Sequence, residues 1–158
     1  MGGWEETTRN ESDAEMTFGK FKKELGTLGI TIPQNATVLD IGSGDSVFLR
    51  YLKKQKLNAF GLDANPRSGH GGLVTMARIE QMPFSDAQFD FVFSTAVFSS
   101  GFYKQKHPEM VKEIARVLKP GGIYVSRFNY DIQTHIQDDL DILVDGGYAE
   151  GCSIYRKK

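Results

Sequence analysis

The chain has one cysteine, five prolines and one tryptophan among its 158 residues. A single Cys152 excludes an internal disulfide framework and any cysteine-based metal cluster. Its place near the C-terminus, away from every glycine turn, marks it as a core or strand cysteine rather than a catalytic thiol. Net charge is nearly absent as well: 19 Lys+Arg against 20 Asp+Glu leave a formal −1, which gives no global attraction to nucleic acid. Apolar runs longer than a strand are missing. The opening Met1-Gly2-Gly3-Trp4-Glu5-Glu6 has neither a signal-peptide core nor the Ser/Thr a myristoylation motif needs at its sixth position, so a cytosolic protein without a membrane span is expected. What remains, 40% hydrophobic and 25% charged residues, is ordinary globular usage sized for one core.

The most informative stretch is Val38-Leu39-Asp40-Ile41-Gly42-Ser43-Gly44-Asp45-Ser46. Thr37 to Ile41 reads as a buried parallel strand, and Val47, Phe48, Tyr51 and Leu52 recur at helical spacing behind the start signal Asp45/Ser46. Between them, Gly42 and Gly44 let the backbone lie against a ligand, with N–H groups of the following helix expected to point at it. A second strand, Asn58 to Asp63, ends in an acid about twenty residues beyond the glycines, where a carboxylate can accept from both ribose hydroxyls. A dinucleotide fingerprint would place glycine at Val47; its absence sets NAD aside as the alternative cofactor.

Four segments then fall in order: Val38 to Ser46; Gly61-Leu62-Asp63; Glu80 to Phe84 followed by Phe89 to Ser94; and Ile114 to Gly122. Together they resemble the class I S-adenosylmethionine-dependent methyltransferases, of the small-domain type grouped with ubiquinone-biosynthesis-like enzymes. The resemblance implies an α/β, Rossmann-like, doubly wound and mostly parallel sheet with helices on both faces. It implies S-adenosylmethionine as cofactor and transfer of its methyl group to an acceptor, most simply a small molecule, with a protein as the other choice. Residues carried over for the cofactor are Asp40, Gly42, Ser43 and Gly44 for the methionine part, Asp63 and Ala64 for the ribose, Ile79 and Glu80 for adenine, and the Ser94 carbonyl for the methionine ammonium. Where relatives place an acid for the adenine amino group this chain has Arg78, and Glu80 would substitute. Segments typical of DNA-base methylation, Asn/Asp-Pro-Pro-Tyr/Phe or Pro-Cys, are absent after the fourth strand. No metal is implied. A non-catalytic binding or regulatory subunit of the same fold is the alternative function.

The rest of the chain organises around that block. Residues 1–36 form an N-terminal helix and linker, and residues 37–158 the cofactor-binding domain. The helix, capped by Ser12 or Asp13 and running to about Leu28, would either pad the sheet or lie over the cofactor mouth. Ala64 to Gly72 cannot sustain a helix, so the crossover after the second strand is expected to be cut down to a mobile loop ahead of a third strand, Leu73 to Ile79. A fourth strand spans Phe89 to Phe93. Pro108 to Leu118 is a helix stopped by Gly121-Gly122, Ile123 to Ser126 the fifth strand, Asp131 to Val144 a helix, and Ser153 to Arg156 a last strand. On that reading the fold is shortened at its C-terminus by one antiparallel strand, and the open edge would favour a homodimer. Candidate bases are His70, His107, Tyr103 and Glu80; His135 has no assigned role. Phe98 to Tyr103 is the expected acceptor wall.

Overall fold

The computed structural model describes residues 10–66, 72–98, 105–128, 138–146 and 151–158. Among them the order is α1 (Glu11–Thr27), β1 (Thr37–Ile41), α2 (Val47–Lys54), β2 (Asn58–Asp63), β3 (Val74–Met76), a 3-10 turn (Ile79–Gln81), β4 (Phe89–Thr95), α3 (His107–Val117), β5 (Leu118–Arg127), β6 (Leu140–Val144) and β7 (Cys152–Lys157). The strands form one seven-stranded sheet in the order β3-β2-β1-β4-β5-β7-β6. β3, β2, β1, β4 and β5 pair in parallel, and β7 runs antiparallel to both β5 and β6.

Both faces of the sheet are covered, which is why β1 and β4 read as nearly continuous apolar runs. On one face Val38, Ala59, Phe91, Phe93 and Val125 pack against α1 and α2. On the other, Leu39, Ile41, Leu62, Val92 and Tyr124 pack against α3. α1 is an integral layer: Phe18, Phe21 and Leu25 are almost fully buried, and Phe21 stacks on Phe93 with ring centroids 5.4 Å apart. Burying each of these side chains is worth about 1.5 to 3 kcal/mol. Its start is a reciprocal capping box in which Asn10 Oδ1 accepts from the Asp13 N–H and Asp13 Oδ2 accepts from the Asn10 N–H, each at 3.0 Å. The cap is therefore Asn10, two residues ahead of the expected Ser12.

α2 lies unusually close to β2, and the room is made from the sheet side. A Cβ on Gly61 would sit 2.6 Å from Ser43 Oγ and 2.7 Å from Leu49 Cδ2. The close approach of this turn and helix to the sheet thus rests on the missing side chain at Gly61.

The doubly wound class stands, but three expectations about its parts do not. The strand thought missing is present as β6: β7 is the last strand expected at Ser153 to Arg156, it inserts antiparallel between β5 and β6, and the sheet is not shortened at the C-terminus. Residues 140–144, assigned to a helix, form β6 instead. Their apolar spacing fits either period, and the adjoining antiparallel β7 decides for the strand. Residues 131–137, the start of that expected helix, lie outside the described residues. Gly121 and Gly122 do not stop α3: the helix ends at Val117, Leu118 turns to extended backbone, and both glycines fall within β5. With seven strands present, the argument for a homodimer from a missing strand is withdrawn; the edges are the three-residue β3 and β6. No helix among the described residues is long and apolar enough to cross a membrane.

Candidate functional site

Strand order reverses direction between β1 and β4, and ligands in open α/β sheets bind outside the carboxyl ends of strands at such a switch. Two cavities open there, of about 350 Å³ and about 170 Å³. Gly42, at the end of β1, and Thr95, at the end of β4, line both. The larger is walled by Asp63, Ala64 and Asn65 after β2, by Arg78, Ile79 and Glu80, and by Val97. The smaller lies under α1, between Asp13, Met16 and Thr17 on one side and Asp40, Arg127 and Phe128 on the other.

Gly42 is the partition between them. Its φ is +74°, and a Cβ there would meet Val97 Cγ2 at 2.9 Å. The loop itself is held by hydrogen bonds to β2. The Gly42 and Ser43 N–H groups donate to the Leu62 carbonyl at 2.7 and 3.1 Å, and the Gly44 N–H donates to Asp63 Oδ2 at 2.9 Å. Ser46 N–H donates to the Ser43 carbonyl, and the Val47 N–H donates to Asp45 Oδ1, so Asp45, one residue ahead of the N-cap Ser46, satisfies the first N–H of α2. These five N–H groups are thus committed within the protein, and of the helix N–H groups expected to point at a ligand the Val47 N–H is among them. What the loop offers to the cavities is a missing side chain at Gly42.

Two carboxylates flank the partition. Asp63 accepts the Gly44 N–H through Oδ2 and the Asn65 N–H through Oδ1 at 2.8 Å, which fixes it against the larger cavity while leaving further lone pairs on both oxygens. Asp40, only 5% exposed, accepts from Ser43 Oγ at 2.8 Å and lines the smaller cavity. Ser43 itself is buried and contacts neither cavity; it orients Asp40.

Ser94, carried over for its backbone carbonyl, turns its side chain away from both cavities. Its side chain is fully buried on the α3 face, bonded to Tyr124 Oη at 2.7 Å and Ser126 Oγ at 2.8 Å. β4 runs two residues further than expected, so Thr95, on the opposite face, holds the cavity position. Among the candidate bases, His107 is the first residue of α3 and is 1% exposed, its ring edge-on to Phe98 with centroids 4.8 Å apart. It lines neither cavity. Phe98, expected in an acceptor wall, is a core residue. Glu80 belongs to the wall of the larger cavity, 3.6 Å from Arg78. His70, Tyr103 and residues 99–104 lie outside the described residues, as do His135 and residues 67–71 of the loop expected to be mobile. Burial pushes the Cys152 thiol up to about 11, consistent with a core cysteine.

Sequence reading missed Arg127, although it was legible in principle, since it ends a parallel strand on the ligand side of the sheet. α1 both packs on the sheet and borders the smaller cavity, the two positions weighed for it. Asp13 was visible only as a cap, which it also is.

A glycine at the switch point with an acid on each side is the arrangement of a doubly wound fold with its cavities at the carboxyl ends of the strands. Residues 39–126 match the model of the family described as methyltransferase domain, and the chain belongs to that family. It is 32% identical over 103 residues to the biotin biosynthesis bifunctional protein BioHC of Cellvibrio japonicus, covering 56% of this chain and 19% of that protein. An uncharacterized methyltransferase of Mycobacterium sp. (strain JLS) is 28% identical over 102 residues, covering 60% of this chain and 39% of the relative. The chain thus matches well under half the length of these curated relatives. Among solved structures, a TehB-like SAM-dependent methyltransferase from Corynebacterium glutamicum superposes with a TM-score of 0.65 at 18% identity, covering 94% of this chain and 100% of that one.

Proposed function

We propose that the chain is a cytosolic S-adenosylmethionine-dependent methyltransferase acting on a small molecule. The observation that carries this is the pair of cavities joined across Gly42, with Asp63 on one side and Asp40 on the other, in a member of the methyltransferase-domain family. The residues present fit the cofactor's three parts. Asp63 and Ala64 would hold the ribose, and Ile79 and Glu80 would border adenine beside Arg78. Bare backbone at Gly42 would let the methionine part pass toward Asp40, whose carboxylate suits an ammonium. Gly44 serves at one remove, by donating to Asp63.

S-adenosylmethionine when bound supplies an already activated methyl group, so the protein's task is placement and exclusion of water. Thr95 and α1 bound the place where an acceptor would lie, and no described side chain need act as base for an acceptor that is already nucleophilic. Isothermal titration of S-adenosylmethionine and S-adenosylhomocysteine, with NAD as control, tests the reading. Micromolar binding of the first two alone is expected; absence of both would favour a non-catalytic subunit of this fold.

Asp63→Ala is expected to weaken S-adenosylhomocysteine by about 1 to 3 kcal/mol, through the unmatched ribose. The same titration checks it, and unchanged affinity would remove Asp63 from the site. Because Asp63 also anchors Gly44 and Asn65, Asp63→Asn is the control: it keeps an acceptor oxygen for one of those bonds while losing the charge.

A further inference from the structure

The two edges of the sheet are guarded unequally. β6 has Asp139 just before it, Asp141 within it and Asp145 just after it, and its ladder to β7 is interrupted between Ile142 and Val144. Charges and bulges of this kind keep an edge from pairing with another chain. At the opposite edge, the stretch from Gly72 to Ala77 that contains β3 has neither a charge nor a proline. Its ladder is regular, with Val74, Thr75 and Met76 opposite Gly61, Leu62 and Asp63 of β2. Leu73 is 39% exposed, and Met76, at 71%, is the most exposed large apolar side chain among the described residues.

The backbone of this edge is complementary to itself. The Ala77 N–H donates to the Asp63 carbonyl at 3.2 Å, so Ala77 and, by alternation, Thr75 turn their backbone groups toward β2, while Val74 and Met76 direct theirs outward. We propose that β3 pairs with β3 of a second copy of this chain, antiparallel about a two-fold axis through Thr75, so that two seven-stranded sheets become one. In that register Val74 of each copy stands opposite Met76 of the other, and the pair exchanges both hydrogen bonds, which satisfies every outward group of β3. The exposed Met76 side chain then lies against Val74 across the junction, Leu73 meets Ala77, and Thr75 meets its own counterpart. Arg78 falls opposite the uncharged Gly72, so no like charges face each other. The same operation about Ile142 of β6 would set Asp139 against Asp145. A contact this short buries less than the about 1,200 Å² of an ordinary stable interface, so the dimer is weak and forms with concentration. The inference goes beyond the methyltransferase reading and does not depend on it.

Sedimentation equilibrium of the full chain without cofactor tests it. Between about 10 µM and about 1 mM the mass is expected to rise from one chain toward two, with a dissociation constant on the order of 100 µM. Met76→Lys and Met76→Glu are each expected to stay at one chain over that range, and to melt with the native chain because the side chain is exposed. An equimolar mixture of the two is expected to associate again, since position 76 of one copy lies diagonal to position 76 of the other on one face of the joined sheet. Thr75→Cys supplies a second readout. Treated with diamide, which takes up two protons and two electrons as the disulfide forms, it is expected to cross-link two chains, because a non-hydrogen-bonded antiparallel pair sets its Cα atoms about 4.5 Å apart. Leu73→Cys, opposite Ala77, is expected to cross-link far less, and the buried Cys152 adds no background. A native chain that keeps the mass of one chain at about 1 mM overturns the proposal. So do association unchanged in Met76→Lys, a charge-swapped mixture that stays monomeric, and equal cross-linking by Leu73→Cys and Thr75→Cys.

Discussion

Gly42→Val is expected to abolish cofactor binding, with a loss of more than about 3 kcal/mol, over a hundredfold in affinity. Two effects add. A β-branched residue at φ +74° is strained, by roughly 1 to 2 kcal/mol for the left-handed region alone. The new side chain also starts 2.9 Å from Val97 Cγ2 and has only the two cavities to grow into. Titration of S-adenosylhomocysteine alongside a thermal melt separates the contributions: the melt reports the strain, the titration the occlusion. Gly44→Ala is the informative comparison. Gly44 also has positive φ, +52°, but its Cβ would find nothing nearer than the Gly42 carbonyl at 3.9 Å, and it lines neither cavity. It should destabilise modestly and leave far more binding than Gly42→Val. From the sequence alone the two glycines look equivalent; only the packing separates them.

Arg116→Ala should have the largest effect on stability, a loss of about 2 to 4 kcal/mol in urea unfolding. One guanidinium staples the segment after the 3-10 turn to α3. Its Nη1 donates to the Phe84 carbonyl at 2.8 Å and to Asp86 at 2.7 Å, and its Nη2 donates to the Met82 carbonyl at 3.0 Å. Nε and Nη2 fork onto the two oxygens of Glu113 at 2.6 and 2.9 Å, and Glu113 also accepts from the Met82 N–H at 2.8 Å. Truncation strands two carbonyls and a partly buried carboxylate. Since this segment continues from Ile79 and Glu80, weaker binding at the larger cavity should accompany the loss.

The same cluster sets a pH dependence. The Arg116 hydrogen bonds hold the Glu113 carboxyl below its ordinary range, against the opposing effect of burial. A carboxylate with a depressed folded pKa contributes stability that is fully present above its unfolded pKa and is lost as pH falls through the folded value. Native stability should therefore decline on acidification below the ordinary glutamate range. Glu113→Gln should flatten that part of the profile; urea midpoints across the acid range measure it.

β1 and β2 were legible to the residue because strands buried on both faces advertise themselves as short apolar runs, the first closed by the Gly42 turn and the second by Asp63. The acids that line the two cavities, Asp40 and Asp63, were legible for the same reason: each is fixed by its place on a strand. The Ser94 side chain lies one step along the strand from Thr95 and so on the opposite face, which leaves the expectation for its carbonyl untouched. Residues 140–144 were misread because Leu140 and Leu143 satisfy a helical spacing and only the pairing with β7 resolves it. Gly61 was seen as part of the ribose motif, while its clearance for Leu49 and Ser43 depends on a helix brought over it by tertiary structure. His107 shows the limit of typing by residue: an imidazole suited to proton transfer is spent on packing against Phe98.

α1 has two faces with separate obligations. Phe18, Phe21 and Leu25 hold it to the sheet, whereas Asp13, Met16 and Thr17 look into the smaller cavity. None of the residues around Gly42, Asp40 and Asp63 depends on what stands at Met16 or Thr17. On the proposed function, exchange at those two positions would reshape the smaller cavity without disturbing the packing that holds α1 to the sheet, so variation there is carried by a helix whose anchorage is already secured.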